Sequence, residues 1–176
     1  MENIYNYIGE SLDIMALVIL LINLEVLNDS GLVPIDRELE YLGHYLTLEK
    51  MRYGEDLTIT YDISPCRFFL PPLTLQPIVE NAVRHGIGKK PEGGTVTIRV
   101  REHPSDYRIT IRDDGVGFDV DARNLFAEET EPDIQGRRHI GLPNTRERLR
   151  LLCQGDLKVR SRPGKGTKVT ISIPKS

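Results

Sequence analysis

Two short stretches of this chain carry residue types whose spacing could do chemistry. In Leu75-Gln76-Pro77-Ile78-Val79-Glu80-Asn81-Ala82-Val83-Arg84-His85-Gly86 an amide, an acid and two basic residues sit among apolar ones. In Asp113-Asp114-Gly115-Val116-Gly117 an acidic pair leads into glycines. Residues three and four apart share a helix face, so Pro77, Asn81, Arg84 and His85 fall on one stripe. Leu75, Ile78, Val79 and Ala82 fill the opposite, core-facing arc. An oxygen from Asn81 suits a hard cation such as Mg²⁺, which takes few protein oxygens and fills its shell with substrate phosphates. Arg84 and His85 would then meet phosphate oxygens. The alternative is a solvated polar stripe.

The second stretch follows a strand pattern. Side chains alternate along a strand, so Tyr107, Ile109, Ile111 and Asp113 share a face, and it is the apolar one. A carboxylate there is costly unless it is hydrogen-bonded. The amino group of an adenine is one donor that would satisfy it. Gly115 and Gly117 permit close backbone approach. The alternative is a strand-ending Asp-Gly turn. Thr167 shares its face with Val169, Ile171 and Ile173, which aims its hydroxyl to the same side as Asp113. By itself, Gly164-Lys165-Gly166-Thr167 is only a hairpin. Gly141-Leu142-Pro143-Asn144 opens a helix, whose free N–H groups attract phosphate. Arg137 and Arg138 stand just before it. In order and facing, these pieces read as a nucleotide pocket.

The elements that must position them are legible from periodicity. Residues 2–28 read as a helix with a broad apolar face, and a second helix spans Asp36 to Tyr53. Leu57–Ile63 alternates as a half-buried strand does. Pro71-Pro72 opens a helix expected from Leu73 to His85, stopped by Gly86. Thr95–Val100 and Tyr107–Arg112 alternate as strands, and the pattern dissolves from Phe118 to His139. A helix is expected from Leu142 to Cys153, then strands Leu157–Ser161 and Thr167–Ile173. The expected fold is α/β, a two-layer sandwich of a mixed β-sheet covered by helices, with an N-terminal helical segment. Residues 1–32 form the N-terminal helical segment and residues 33–176 the nucleotide-pocket domain, with the second helix at its start, in this reading.

Composition narrows the functional classes. The 176 residues, 39% of them hydrophobic, suffice for one domain with a proper core. A net charge of -3 gives no global basic field, so no nucleic acid partner is expected. Cys66 and Cys153 show neither metal nor disulfide spacing and read as reduced thiols of a cytoplasmic protein. The apolar run Ile14 to Ile22 is shorter than the roughly 20 residues a bilayer span needs. It suits burial against a partner chain.

The motifs resemble the ATP-binding domain of sensor histidine kinases in the GHKL (Bergerat-fold) ATPase superfamily, above all the LytS/YehU-type branch. Pro71 to Gly86 is similar to that branch's N box, and Asp113 to Phe118 to its first glycine box. Ile140 to Leu149 is similar to the second glycine box and Gly164 to Thr167 to the third. The segment Val33 to Gly54 resembles the linker helix. The resemblance implies that Asn81 coordinates Mg²⁺, that Asp113 binds the adenine amino group of ATP, and that Thr167 supports this contact. It implies that Gly115, Gly117, Gly141 and Leu142 shape the pocket and lid, with Arg84, His85, Arg137 and Arg138 near the phosphates. Glu80 is the candidate catalytic acid or base. A response regulator would be the downstream partner, and a homodimer would form through the N-terminal helices. The domain would be cytoplasmic, whether or not the parent kinase is membrane-anchored.

Two departures stand out. The family's acceptor histidine follows an Asn-Pro pair, whereas Leu21 to Asn28 holds no histidine and places Glu25 near the acceptor position. His44 is the only histidine on a helix outside the ATP domain, and its sequence context does not suit an acceptor. Arg137 and His139 stand where glycine is usual. The expected function is phosphoryl transfer from ATP to a histidine supplied elsewhere. The alternatives are a serine kinase of the same superfamily and a non-catalytic nucleotide-binding or dimerisation module.

Overall fold

The computed structural model describes residues 31–120 and 141–175. The expected helix over residues 2–28 lies outside them, as do Arg137, Arg138 and His139. The described chain opens with β1 (Val33–Pro34) and α1 (Ile35–Tyr53). Asp36 and Glu38 in the first turn of α1 and Lys50 and Arg52 in its last complement the helix dipole. Gly54, at φ +55, ends it. Ile35, Leu42, Tyr45 and Leu46 bury its inner side.

Next come β2 (Leu57–Ile63), β3 (Phe69–Leu70) and α2 (Leu75–Asn81). Then β4 (Gly94–Glu102) and β5 (Asp106–Asp113) follow. After the undescribed residues come α3 (Gly141–Cys153), β6 (Asp156–Ser161) and β7 (Thr167–Pro174). The five-stranded sheet has the order β2-β4-β5-β7-β6. β2 and β4 are parallel, and the other pairs are antiparallel. β1 and β3 form a separate antiparallel pair that ties the start of α1 to the chain just before Pro71-Pro72. The mixed sheet with helices against one face is the expected sandwich.

Alternation decides which sheet face the helices cover. Val96, Ile98, Val100, Ile109, Ile111, Val169, Ile171 and Ile173 are buried on one side, with Ile78, Val79, Leu42 and Leu149 from the helices in the same core. Thr97, Arg99, Thr110 and Arg112 take the other side at alternate positions. No described helix is long and apolar enough to cross a membrane.

The expected helix Leu73–His85 is corrected in two places. Leu73 adopts φ +56, outside the helical region, so α2 starts at Leu75. After Asn81 the chain widens into a π turn, Ala82–Gly86, and then a 3-10 turn, Ile87–Lys89. Side-chain periodicity carries no mark of either feature, because the apolar positions stay buried through both.

Candidate functional site

α2 is half apolar by burial. Leu75, Ile78, Val79 and then Ala82 and Val83 pack inward. Asn81 is half-buried at the end of α2, where the π turn begins. Its carboxamide makes no hydrogen bond among the described residues, which leaves its oxygen available. Single-turn π bulges within α-helices are frequent at functional sites. Glu80 and Arg84 pair at 2.6 Å across one helical step, both partly exposed. That bond holds the Arg84 guanidinium above its ordinary pKa. His85 is exposed beside it. Arg84 therefore sits against Glu80 rather than standing alone on the stripe with Asn81.

Asp113 closes β5 on the buried face, opposite Val96, and is 3% exposed. Its Oδ1 accepts the N–H of Gly115 at 2.9 Å and the N–H of Thr167 at 3.3 Å. Neither bond uses Oδ2. Burial pushes the Asp113 carboxyl above its ordinary value, opposed by those two N–H groups and reinforced by the neighbouring Asp114. The carboxylate therefore joins the exit of β5 to the start of β7 through the backbone N–H of Thr167, while the Thr167 hydroxyl lies against Ser161.

The backbone around it is packed without room for side chains. A Cβ on Gly86 would meet Asp113 Oδ1 at 2.7 Å, and one on Gly166 would meet the Asp113 carbonyl oxygen at 2.1 Å. Gly166 also has φ +74, a conformation that glycine adopts at little cost. Gly117 has φ +60. The Val116 N–H donates to the Gly86 carbonyl at 3.3 Å, and the Gly164 N–H donates to the Val116 carbonyl at 2.7 Å. The end of the π turn, the exit of β5 and the β6–β7 hairpin thus form one backbone cradle around Asp113.

Sequence reasoning passed over Ser161. Its hydroxyl accepts the Phe118 N–H and donates to the Gly166 carbonyl, both at 2.9 Å. It also lies 2.9 Å from the Thr167 hydroxyl. The signal that would find it is hairpin register, because Ser161 and Thr167 face each other across Pro163-Gly164-Lys165-Gly166.

Gly141 begins α3, and Leu142 is half-buried against the core. Among the described residues no group of three or more His, Cys, Asp and Glu side chains could hold a metal. A cation beside Asn81 would take most of its oxygens from a bound substrate, which is how Mg²⁺ is usually held. Cys66 and Cys153 are free thiols. A cavity of 210 Å³ bordered by Asp36, Cys66 and Arg67 is lined by none of the candidate residues.

A sequence-family profile described as histidine kinase-, DNA gyrase B- and HSP90-like ATPase matches residues 72–176. The sensor histidine kinase YpdA of Escherichia coli (strain K12) is 36% identical over 149 residues, 84% of this chain and 26% of that protein. The sensor protein LytS of Bacillus subtilis (strain 168) is 31% identical over 147 residues, 81% of this chain and 25% of that protein. YwpD of the same organism is 34% identical over 148 residues, 83% of this chain and 51% of that protein. The chain thus spans between a quarter and about half of the length of these relatives. Among solved structures, the catalytic domain of the histidine kinase ThkA superposes with a TM-score of 0.63 at 15% identity, covering 82% of this chain and 96% of that one. A mycobacterial sensor histidine kinase, MprB, gives 0.58 at 20% identity over 82% of this chain and 97% of that one. These superpositions bear on the fold.

Proposed function

The chain belongs to the family of histidine kinase-, DNA gyrase B- and HSP90-like ATPases, and from that premise we propose that it is the Mg-ATP-binding catalytic domain of a sensor histidine kinase. The observation that carries this reading is Asp113. A carboxylate on the apolar face of a strand spends one oxygen on backbone N–H groups and keeps Oδ2 clear of those bonds. Oδ2 is the oxygen to accept the adenine amino group. The glycine cradle lets a flat base approach backbone without meeting Cβ atoms.

Asn81 is the residue to hold Mg²⁺, and bound Mg²⁺ would neutralise charge on the transferring phosphates. His85 and Arg84 lie one turn further along, within the same segment, to steady phosphate oxygens. Arg137, Arg138, Gly141 and Leu142 are assigned to the lid side of the pocket. Glu80 is the acid or base that manages the acceptor's proton, and its bond to Arg84 orients it. Gly115, Gly117 and Thr167 hold the adenine end. Catalysis of this kind rests on positioning and electrostatics. The acceptor histidine comes from a partner chain or another region, a response regulator receives the phosphoryl group, and residues 1–32 serve dimerisation.

Calorimetric titration with Mg-ATP tests the reading, with Asp113→Ala as control. Saturable binding that vanishes in the variant is expected. No binding by the unmodified chain would overturn it and favour an interaction module. Acid-stable label on a partner protein would favour the serine kinase instead, because phosphohistidine is acid-labile.

A further inference from the structure

We propose that Glu38 of α1 is a positioning residue that fixes the start of α2, and through it the placement of Asn81. The observation is geometric. The Glu38 side chain is 2% exposed and reaches across from α1. Its Oε1 accepts the Leu73 N–H at 2.6 Å, and its Oε2 accepts the Thr74 and Leu75 N–H groups at 2.9 and 3.0 Å. These are donors at the start of α2, which a helix leaves without internal partners. They are satisfied by a carboxylate 35 to 37 residues earlier in the chain, not by a local cap, since Thr74 makes no side-chain cap bond. Instead the Thr74 hydroxyl donates to the Pro71 carbonyl at 2.6 Å.

Several further features bind the same joint. Leu73 holds φ +56, a conformation unfavourable for a residue that carries a Cβ. Such a conformation persists where its surroundings over-determine it. The Leu73 N–H is the one that Glu38 Oε1 takes. Arg148 of α3 donates to the Pro72 carbonyl and places its positive charge near Glu38. The Ile35 N–H donates to the Phe68 carbonyl at 3.1 Å, and β1 pairs with β3. The first turn of α1 is therefore clamped to the segment 68–75, and the Glu38 carboxylate carries that clamp onto the first backbone N–H of α2.

The consequence follows from α2's length. It has 7 residues, Leu75–Asn81, so its first N–H groups and the Asn81 side chain belong to one short rigid rod. A shift of α1 along its axis would move Glu38 and tilt that rod. α1 is thus a part of the site, although it contributes no residue to it. This inference rests on the assignment of Asn81 to Mg²⁺.

The test compares the unmodified chain with Glu38→Gln and Glu38→Asp by two measurements. The first is hydrogen exchange without nucleotide. Glu38→Gln puts a donor NH₂ against backbone donors, and amides 73–81 should exchange at least about tenfold faster, the consequence of losing hydrogen bonds to a charged group. Amides of β4 and β5 should stay within twofold, about the scatter expected for distant sites. Glu38→Asp keeps the charge and should recover part of the protection. The second is ADP affinity with Mg²⁺ and with EDTA. In Glu38→Gln the Mg²⁺-dependent gain should fall by about fivefold or more, while affinity in EDTA, set by Asp113, holds. Uniformly faster exchange across the sheet, or unchanged exchange in 73–81, would overturn the proposal, as would an unchanged Mg²⁺-dependent gain. If the unmodified chain binds no ADP, the nucleotide assignment fails, and exchange alone then decides whether Glu38 fixes α2.

Discussion

Gly115 packs against Gly86 so closely that a Cβ on Gly115 would lie 2.3 Å from the Gly86 carbonyl carbon. The two residues stand on different elements, one after β5 and one ending the π turn. Contact between their backbones fixes the distance between the Asn81 segment and Asp113. Gly115→Ala must push these segments apart. Overpacking of this kind costs about 1–3 kcal/mol. The variant should melt several degrees lower and lose nucleotide affinity. Thermal denaturation and calorimetry check this, and an unchanged melting temperature would refute the contact.

Asp113→Asn separates stability from binding. Burial raises the folded-state pKa of Asp113 above its ordinary 3.8. A raised carboxyl pKa means that the protonated form favours the fold. Its contribution is fully present below pH 3.8 and is lost as pH rises through the folded value. At neutral pH the neutral amide should therefore be at least as stable as the carboxylate, and the difference should vanish toward pH 3.8. Nucleotide affinity moves the other way. It needs the ionised acceptor, so it should weaken in the unmodified chain as pH falls through the raised pKa, and be poor in Asp113→Asn at every pH. Denaturation across pH, paired with titrations, reads both slopes.

Ser161→Ala removes the hydroxyl that joins Phe118, Gly166 and Thr167. The Phe118 N–H and the Gly166 carbonyl each lose a partner bond of 2.9 Å. The Gly166 carbonyl keeps the longer bond from the Arg162 N–H at 3.4 Å, so the net loss is about 0.5–1.5 kcal/mol for each bond removed. The variant should unfold earlier in urea and bind nucleotide several-fold more weakly, because Thr167 loses its hydroxyl partner. Ser161→Thr, which restores the oxygen, should recover much of the loss. Equal stability of Ser161→Ala and parent would show that the hub is dispensable.

Arg84→Ala and Glu80→Gln should leave stability nearly unchanged. Exposed ion pairs at i,i+4 contribute about 0.3–0.5 kcal/mol. A loss of phosphoryl transfer larger than tenfold in either variant would then report chemistry rather than folding. Single-turnover assays with a supplied acceptor histidine make the measurement, alongside a melting curve for each variant.

Much of this was legible in the sequence because it obeys simple periods. The strands of β2, β4, β5 and β7 alternate, so Asp113 and Thr167 could be set on one inward face before any coordinates. The buried arc of α2 followed from three-and-four spacing. What escaped were relations without a period. The positive φ of Leu73, whose N–H is held by Glu38, and the π turn after Asn81, whose last carbonyl is met by Val116, leave no periodic trace. Glu38 itself looks like one more acidic residue in the first turn of a helix, where dipole arguments already account for it. Its role appears only when the chain 35 residues later comes back to meet it. The two-residue strands β1 and β3 are too short to alternate at all.

The span between Asp113 and its second N–H donor also bears on synthesis. Thr167 follows Asp113 by 54 residues. On the ribosome, β4 and β5 can pair and bury Ile98 and Ile111 well before β7 exists. During that interval Asp113 faces an apolar surface with only the Gly115 N–H for support. The β7 strand then has to slot between β5 and β6. The central seam of the sheet is thus its last to close, and the nucleotide cradle is completed in the same event. Chains stalled before residue 167 would hold every residue of the Asn81 segment without the Thr167 N–H that closes around Asp113.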